Sequence, residues 1–414
     1  MATAVELKRR GHQVGYATGR DLKYSIETEG FDYFQVGPPG MRSHISEIGR
    51  KVLKFRRSLS NYYFFKLLME FNRETVNGLR TVVRNYQPDV LVVDSLTFAG
   101  GEIAELSQLP WATTSAVPGM IPSNDAPPFT NWGLPPSRNF YIKQFYNFIR
   151  FNQKIIFRLL DIEFNKLRST LGLPLIKYGL ITTSLSPYLI LILSCEGFEY
   201  QRSDWPPQAH LVGPSPWGKN ADPESSFEWI DELLDDIPII YVTLGTFHSY
   251  RSLNFFKIVI EALKNEPYRV VMSVGYAVDM EQFKDAPPHF RIERFVPHAK
   301  ILPHASAVVH HGGFSVSHDT ISHGLPSVVT PIDQDLFENA RRCVEAGVSL
   351  KITYARLNPQ RLRKAVRKIL QDEQITHNAK SLQRKFLSMN AGARGAGLLE
   401  KLAEGKKPVY HDTP

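Results

Sequence analysis

Between Phe295 and Ala340 the chain reads FVPHAKILPHASAVVHHGGFSVSHDTISHGLPSVVTPIDQDLFENA, an order of residue types that leaves few folds open. Ala307 to His310 is a short apolar run of strand type, His311-Gly312-Gly313 is a tight turn, and a helix starts at about Ser315. A strand that passes through a glycine turn into a helix offers backbone N–H groups and the positive helix end to an anion. Phosphate is the natural guest, so the segment predicts a nucleotide-diphosphate site on an α/β scaffold.

The rest of the chain alternates in the same way. Ala2 to Arg10, closed by Gly11, reads as a helix and Gln13 to Thr18 as the strand after it; Asp21 to Glu29 and Phe31 to Val36 repeat the pair, the second strand lying at a sheet edge. After an irregular stretch through Gly40, a long helix from about Phe55 to Tyr86 leads to a buried parallel strand, Pro88 to Asp94, and a helix from Thr97 to Ser107. Residues 117–137, rich in Pro, Gly, Asn and Ser, read as a mobile loop. Phe140 to Leu171 is helical, with aromatics interleaved among Lys143, Arg150, Lys154 and Arg158. Two readings of that helix stand: a membrane-surface or lipophilic-acceptor element, or a helix that packs its aromatics and solvates its bases. Tyr188 to Leu193 reads as a central strand, residues 214–224 as a linker, and from Ile239 the alternation restarts.

Two cores of roughly 200 residues fit a chain of 414 residues, and 43% hydrophobic with 22% charged residues is the balance of an ordinary globular protein. The two cysteines, Cys195 and Cys343, make neither a disulfide framework nor a metal site and suggest a reducing compartment. A formal charge of +8 suits an anionic partner. No nucleic-acid module accompanies it, so nucleic acid is not the expected one. The longest apolar run is too short to span a bilayer and no signal peptide is visible. A cytoplasmic chain is expected, with peripheral contact at the inner membrane surface as its variant.

The ordered set Phe295-Val296-Pro297-His298, His311 to Gly313, Asp319 and Pro331 to Asn339 resembles the C-terminal signature of the family 1, UDP-glycosyltransferase-like, sugar transferases. Ile239 to Thr246 resembles the strand and loop that open the family's donor domain, Leu211 to Pro214 the approach to its linker, and weaker similarity runs back to residue 2. The resemblance is to the bacterial macrolide, antibiotic and carotenoid glucosyltransferase type. It implies two Rossmann-like domains facing across a cleft (the GT-B architecture): an incomplete acceptor-binding domain over 1–213, a linker and lead-in over 214–237, a donor-binding domain over 238–389, and a helix crossing back with a tail over 390–414.

On the same resemblance, His311 donates to a phosphate oxygen and the turn and helix start, Gly312, Gly313, Phe314 and Ser315, line the diphosphate. Ser317 is a further hydroxyl candidate, and Thr246 approaches from the opposite side. Phe295 stands where relatives stack a tryptophan on the base, and backbone groups of Val296 and His298 read the base edge. Asp319 takes the place of a ribose-binding glutamate. Val316 falls where a phosphate-binding hydroxyl is usual, so amides must serve instead. Counting from Pro331 puts the sugar-reading pair at Asp335-Leu336 rather than at the look-alike Asp333-Gln334, which leaves the sugar less defined than the nucleotide. His310 reads as core filler, and no metal site is expected of His310, His311 and His318, for lack of a carboxylate or cysteine at ligand spacing.

Transfer to an alcohol with inversion needs a base, and the family uses a histidine in the loop after its first strand, oriented by an aspartate. Asp94 matches the aspartate; the histidine has no counterpart, and His12 lies at the wrong end of its helix. The central first strand is also unmatched, which predicts exposed sheet edges in the first domain. Three functions follow as expectations: an inverting hexosyltransferase using a UDP- or dTDP-sugar, without metal or other cofactor, on a lipophilic hydroxyl acceptor; a non-catalytic nucleotide-sugar-binding homologue or fragment; and a nucleotide-sugar hydrolase or epimerase of the same architecture.

Overall fold

The computed structural model describes residues 1–19, 22–37, 57–130, 132–177, 183–215, 227–233, 236–245, 252–276, 278–332 and 335–411. The stretch through Gly40, most of the expected linker, Thr246 and Asp333-Gln334 lie outside the described residues.

The first half runs α1 (Ala2–Arg9), β1 (Gly15–Thr18), α2 (Lys23–Glu27), β2 (Asp32–Gln35), α3 (Arg57–Tyr86), β3 (Leu91–Asp94), α4 (Phe98–Ser107), β4 (Trp111–Ser115), α5 (Phe140–Thr170), β5 (Leu189–Ile192) and β6 (Ala209–Leu211). Its strands form two parallel sheets rather than one: β1 with β2, and β3-β4-β5-β6. The four residues of β5 are all buried, as an apolar run between two neighbours should be. By contrast β3, expected to be buried, is an edge strand with Val92 49% exposed, because no described strand pairs with its outer side. Exposed edges are what an unmatched central strand predicts. Helix α3 ties the two sheets together: Tyr86 meets Phe34 of β2 edge-on at 5.3 Å, while Val76 packs with Ala99 and Ile103 of α4.

Residues 117–137 do not stand free as a mobile loop. Arg202 donates to the carbonyls of Pro118 and Ile121, Ser123 donates to Asp204 at 2.8 Å, and Ser203 to Asp125 at 2.7 Å. These bonds satisfy the polar backbone that proline-rich loops leave unpaired. The aromatics of α5 divide between the two readings: Tyr146 and Phe164 are buried, whereas Phe145, Phe148 and Phe151 face solvent.

The second half runs β7 (Ile239–Thr243), α6 (Ser252–Leu263), β8 (Arg269–Ser273), β9 (Phe290–Glu293), α7 (His298–Ile301), β10 (Ala307–His310), α8 (Phe314–Ser322), β11 (Ser327–Val329), α9 (Leu336–Glu345), β12 (Ser349–Lys351), α10 (Pro359–Gln371) and α11 (Glu373–Ser388). All six strands are parallel, in the order β12-β11-β10-β7-β8-β9. Both faces of this sheet are covered: Ile240 and Val242 point into one cluster with Phe255 and Phe256, and Ile239 and Tyr241 into another with Val271 and Val308. Strand order reverses between β7 and β10, and ligands of open α/β sheets bind outside the strand ends at such a point.

A last helix, α12 (Ala391–Gly405), returns to the first half as expected. Leu399 and Leu402 join Ala112, Leu189 and Leu191 in one apolar cluster, and Arg10 of the α1 end meets Glu400 at 2.6 Å. Gly395 permits the approach, since a methyl built there would lie 2.5 Å from Thr3 Oγ1.

Candidate nucleotide-diphosphate site

The ends of β7 and β10 bring two glycine loops face to face. His311, the residue after β10, is buried with its imidazole between them: a methyl built on Gly245 would stand 2.6 Å from His311 Cε1, and one on Gly313 would stand 2.5 Å from Nε2. Glycine at both positions is thus what admits the ring. Gly312 has φ +91°, and a methyl there would meet the Leu336 carbonyl at 2.9 Å. Gly312→Ala is expected to lose about 1–3 kcal/mol from this strain, read as a lowered denaturant midpoint.

The neighbouring histidine does more than fill the core. His310, fully buried at the end of β10, accepts from the Gly312 N–H at Nδ1 (3.1 Å) and meets Ser327 Oγ through Nε2 (3.2 Å). Burial pushes its pKa down to about 3, so the ring is neutral and pins the turn. The Gly312 amide is consumed in doing so, which removes it from the set expected to line a phosphate. Beyond it, α8 begins at Phe314 with Gly313 as N-cap and no side-chain cap. Its Phe314, Ser315 and Val316 amides belong to the first turn, where N–H groups have no intrahelical acceptor. The Ser315 side chain is exposed at this end. Val316 and Ser317 are buried, so the Ser317 hydroxyl does not reach an anion at the turn, contrary to expectation.

The strand-to-helix segment at residues 295–298 places Phe295 half out of the surface, 38% exposed, as a stacking ring requires. Val296 is buried; its N–H is given to Ser273 Oγ (3.3 Å) and its carbonyl accepts from Tyr241 Oη (3.3 Å). The expected reading of a base edge by the Val296 amide is therefore blocked. His298 opens α7, and its Nδ1 meets Asp319 Oδ2 at 2.7 Å, a contact across 21 residues that spacing alone did not suggest. Asp319, half-buried on α8, is held in place by that ring.

Asp335 is the N-cap residue of α9, and its Oδ2 accepts from Asn339 Nδ2 at 3.3 Å. Leu336 is buried, with its carbonyl beneath Gly312, and lines no sugar site; that expected role is withdrawn. At the other sheet, Asp94 ends β3 as expected but is exposed rather than buried, and its Oδ1 accepts from the Leu96 N–H at 2.9 Å. His12 meets Glu400 at 3.0 Å on the seam of α1 and α12, so it serves that seam. Among the described residues no three His, Cys, Asp or Glu side chains stand together as a metal site would need.

A buried charge cluster escaped the sequence reading. Arg342 of α9 meets Glu199, after β5, at 2.9 Å and Glu338 at 3.7 Å, with its guanidinium 4.6 Å from the Tyr200 ring; the Thr130 N–H donates to Glu338. It joins the two halves directly behind the candidate site.

Comparison with known proteins points to sugar transferases. Residues 260–402 match the family described as erythromycin biosynthesis protein CIII-like, C-terminal domain. The chain is 28% identical to 4'-demethylrebeccamycin synthase of Lentzea aerocolonigenes over 96% of its length and 94% of the relative's. It is 23% identical to NDP-glycosyltransferase YjiC of Bacillus subtilis (strain 168), covering 97% and 92%. These relatives are named as a synthase and a glycosyltransferase, and the chain is similar to both over nearly its whole length, as the family 1, UDP-glycosyltransferase-like, resemblance implies. Among solved structures, the calicheamicin glycosyltransferase CalG4 superposes with a TM-score of 0.72 at 19% identity, covering 98% of this chain and 94% of that one. The glycosyltransferase VinC in complex with dTDP gives 0.66 at 19%, covering 97% and 95%. The likeness of fold thus extends over both halves of the chain.

Proposed function

We propose that the chain moves a hexose from a UDP- or dTDP-sugar to a hydroxyl of a lipophilic small molecule, with inversion. The observation that carries this reading is the uncapped start of α8 beside a buried imidazole at the strand-order reversal. Amide dipoles and an N–H donor converge there without a competing negative charge, which suits a diphosphate both bound and leaving. The VinC structure, titled as a complex with dTDP, supports the nucleotide class.

In this reading His311 donates to a phosphate oxygen, the Phe314, Ser315 and Val316 amides surround the diphosphate, and Phe295 stacks on the base. The His298 backbone reads the base edge, Asp319 accepts from ribose, and Asp335 from the sugar. The acceptor oxygen attacks the anomeric carbon as its proton departs to a base, the sugar–phosphate bond breaks, and the diphosphate takes the electron pair. Asp94 is the proposed partner of that base. Residues 238–389 serve as the donor domain and 1–213 as the acceptor domain, and no metal is part of the scheme because fixed dipoles meet the developing charge. His311→Ala is expected to weaken UDP binding by about 1–3 kcal/mol by titration calorimetry; unchanged affinity would remove His311 from the site.

A second reading, nucleotide-sugar binding without transfer, is favoured by one observation: the Asp94 carboxylate faces outward and serves a local turn. Tight UDP binding with no consumption of UDP-glucose or dTDP-glucose over a panel of hydroxyl acceptors would decide for it.

A further inference from the structure

Helix α5 has two apolar faces. One, formed by residues such as Tyr146, Phe164 and Leu167, is buried. On the opposite side Tyr141, Phe145, Phe148, Ile155, Leu159 and Ile162 are between 48% and 80% exposed. Their spacing of four, three, seven, four and three residues follows one side of a helix, and at 1.5 Å per residue the stripe is about 30 Å long. Scattered apolar residues are ordinary on a surface, but a continuous strip of this length marks a contact with something apolar.

Charge identifies what covers it. From Phe140 to Leu160 the helix carries Lys143, Arg150, Lys154 and Arg158 and not one acidic residue. Arg150 turns inward and donates to the Asn124 and Ala126 carbonyls. Lys143, Lys154 and Arg158 are exposed, and at 100° per residue all three lie on one flank of the helix, Arg158 nearest the stripe and Lys143 farthest from it. The nearest acids on the helix are Asp161, which is buried, and Glu163, which pairs with Lys166 at 2.6 Å. A self-associating surface needs complementary charges across its two-fold axis, and this flank of the helix supplies one sign only, the acid near Lys143 being Asp125 of the preceding loop, which accepts from Ser203. No described helix is long and apolar enough to cross a membrane. We propose that α5 lies flat on an anionic lipid bilayer, with the stripe at the acyl boundary and Lys154 and Arg158 reaching the headgroups.

This inference does not depend on sugar transfer, and it is tested on the full chain by co-sedimentation with vesicles. Phosphatidylcholine vesicles containing phosphatidylglycerol should carry the protein down, pure phosphatidylcholine vesicles should carry down little, and added salt should release it. Phe148→Ser and Leu159→Ser, both at exposed positions, should each reduce the bound fraction severalfold, and Lys154→Gln should weaken partitioning about fivefold. Melting temperatures should stay unchanged. Failure of the native chain to bind anionic vesicles, or binding by the Ser variants equal to the native chain's, would overturn the proposal. So would a dimer in light scattering that Phe148→Ser separates, because the stripe would then be a self-interface.

Discussion

Arg342→Met should destabilise the chain by about 3–5 kcal/mol, the loss expected when one member of a buried ion pair is removed and its partner left charged. Arg342 is 2% exposed, Glu199 6% and Glu338 2%. Burial alone would lower the pKa of Arg342, yet the flanking carboxylates hold it above its ordinary value, so it is a fixed cation. Glu338 is the weaker partner: burial raises its pKa to about 7, ahead of the opposing pull of Arg342. Without that cation, Glu338 would take up a proton, while Glu199 would be left with Arg202 at 3.9 Å. The cluster spans the two halves, so chemical unfolding followed by tryptophan fluorescence should show a lower midpoint and a less cooperative transition. A double replacement, Arg342→Met with Glu199→Gln, should recover part of the loss, since one buried carboxylate is removed together with the cation that faced it. A single variant within about 1 kcal/mol of the native chain would show that water reaches the cluster.

That cluster also shows where sequence reasoning stops. Glu338 and Arg342 stand four apart on a helix, the spacing of an ordinary solvated pair. Only Glu199, 143 residues earlier, makes them a buried junction. The second half was legible because its strands are covered on both faces: Ile239 to Thr243 reads as a nearly unbroken apolar run, and the glycines after β10 announce the turn. Within the turn, the roles of two adjacent histidines were not fully legible. Backbone alternation sends His310 into the core, where it binds the Gly312 amide, and leaves His311 between the loops. Val296 was misread for a similar reason, since an amide's partner on another strand, Ser273, leaves no local signal. Asp94 was expected to be buried because Val90 to Val93 looks like an interior strand, and the run itself does not tell that β3 has a described neighbour on one side only. The exposed side of α5 was ambiguous because periodicity reveals an apolar face without revealing what meets it.

Acid should unfold this chain abruptly below about pH 4.5, after a span of little change, because four buried groups oppose one another. His310 and His318 have pKa values pushed down by burial to about 3 from the ordinary 6.5. As pH falls through 6.5 the unfolded chain takes up two protons that the folded chain refuses, so their contribution is whole above 6.5 and is lost toward 3. Glu102 and Glu338 act in the opposite sense, raised by burial to about 7 from 4.5. The folded chain holds their protons while the unfolded chain releases them, so that contribution is whole below 4.5 and is lost as pH rises through 7. Between about pH 6.5 and 4.5 the two pairs nearly cancel; below it the rings act alone, removing together about 4 kcal/mol by pH 3 at ~1.4 kcal/mol per proton per unit. For His310 the damage is specific, because a proton on Nδ1 expels the Gly312 amide and opens the turn. Glu102→Gln separates the two pairs. Its neutral amide can still meet Asn72, which donates to Glu102 at 3.0 Å, while the cost of the buried charge disappears. The variant should therefore gain up to about 3 kcal/mol near pH 8 and lose stability steadily from about pH 6.5 downward, with a slope of one proton. Urea midpoints measured across that range decide the matter: if the profiles of the native chain and the Glu102→Gln variant run parallel, Glu102 is hydrated in the folded chain and burial does not set its pKa.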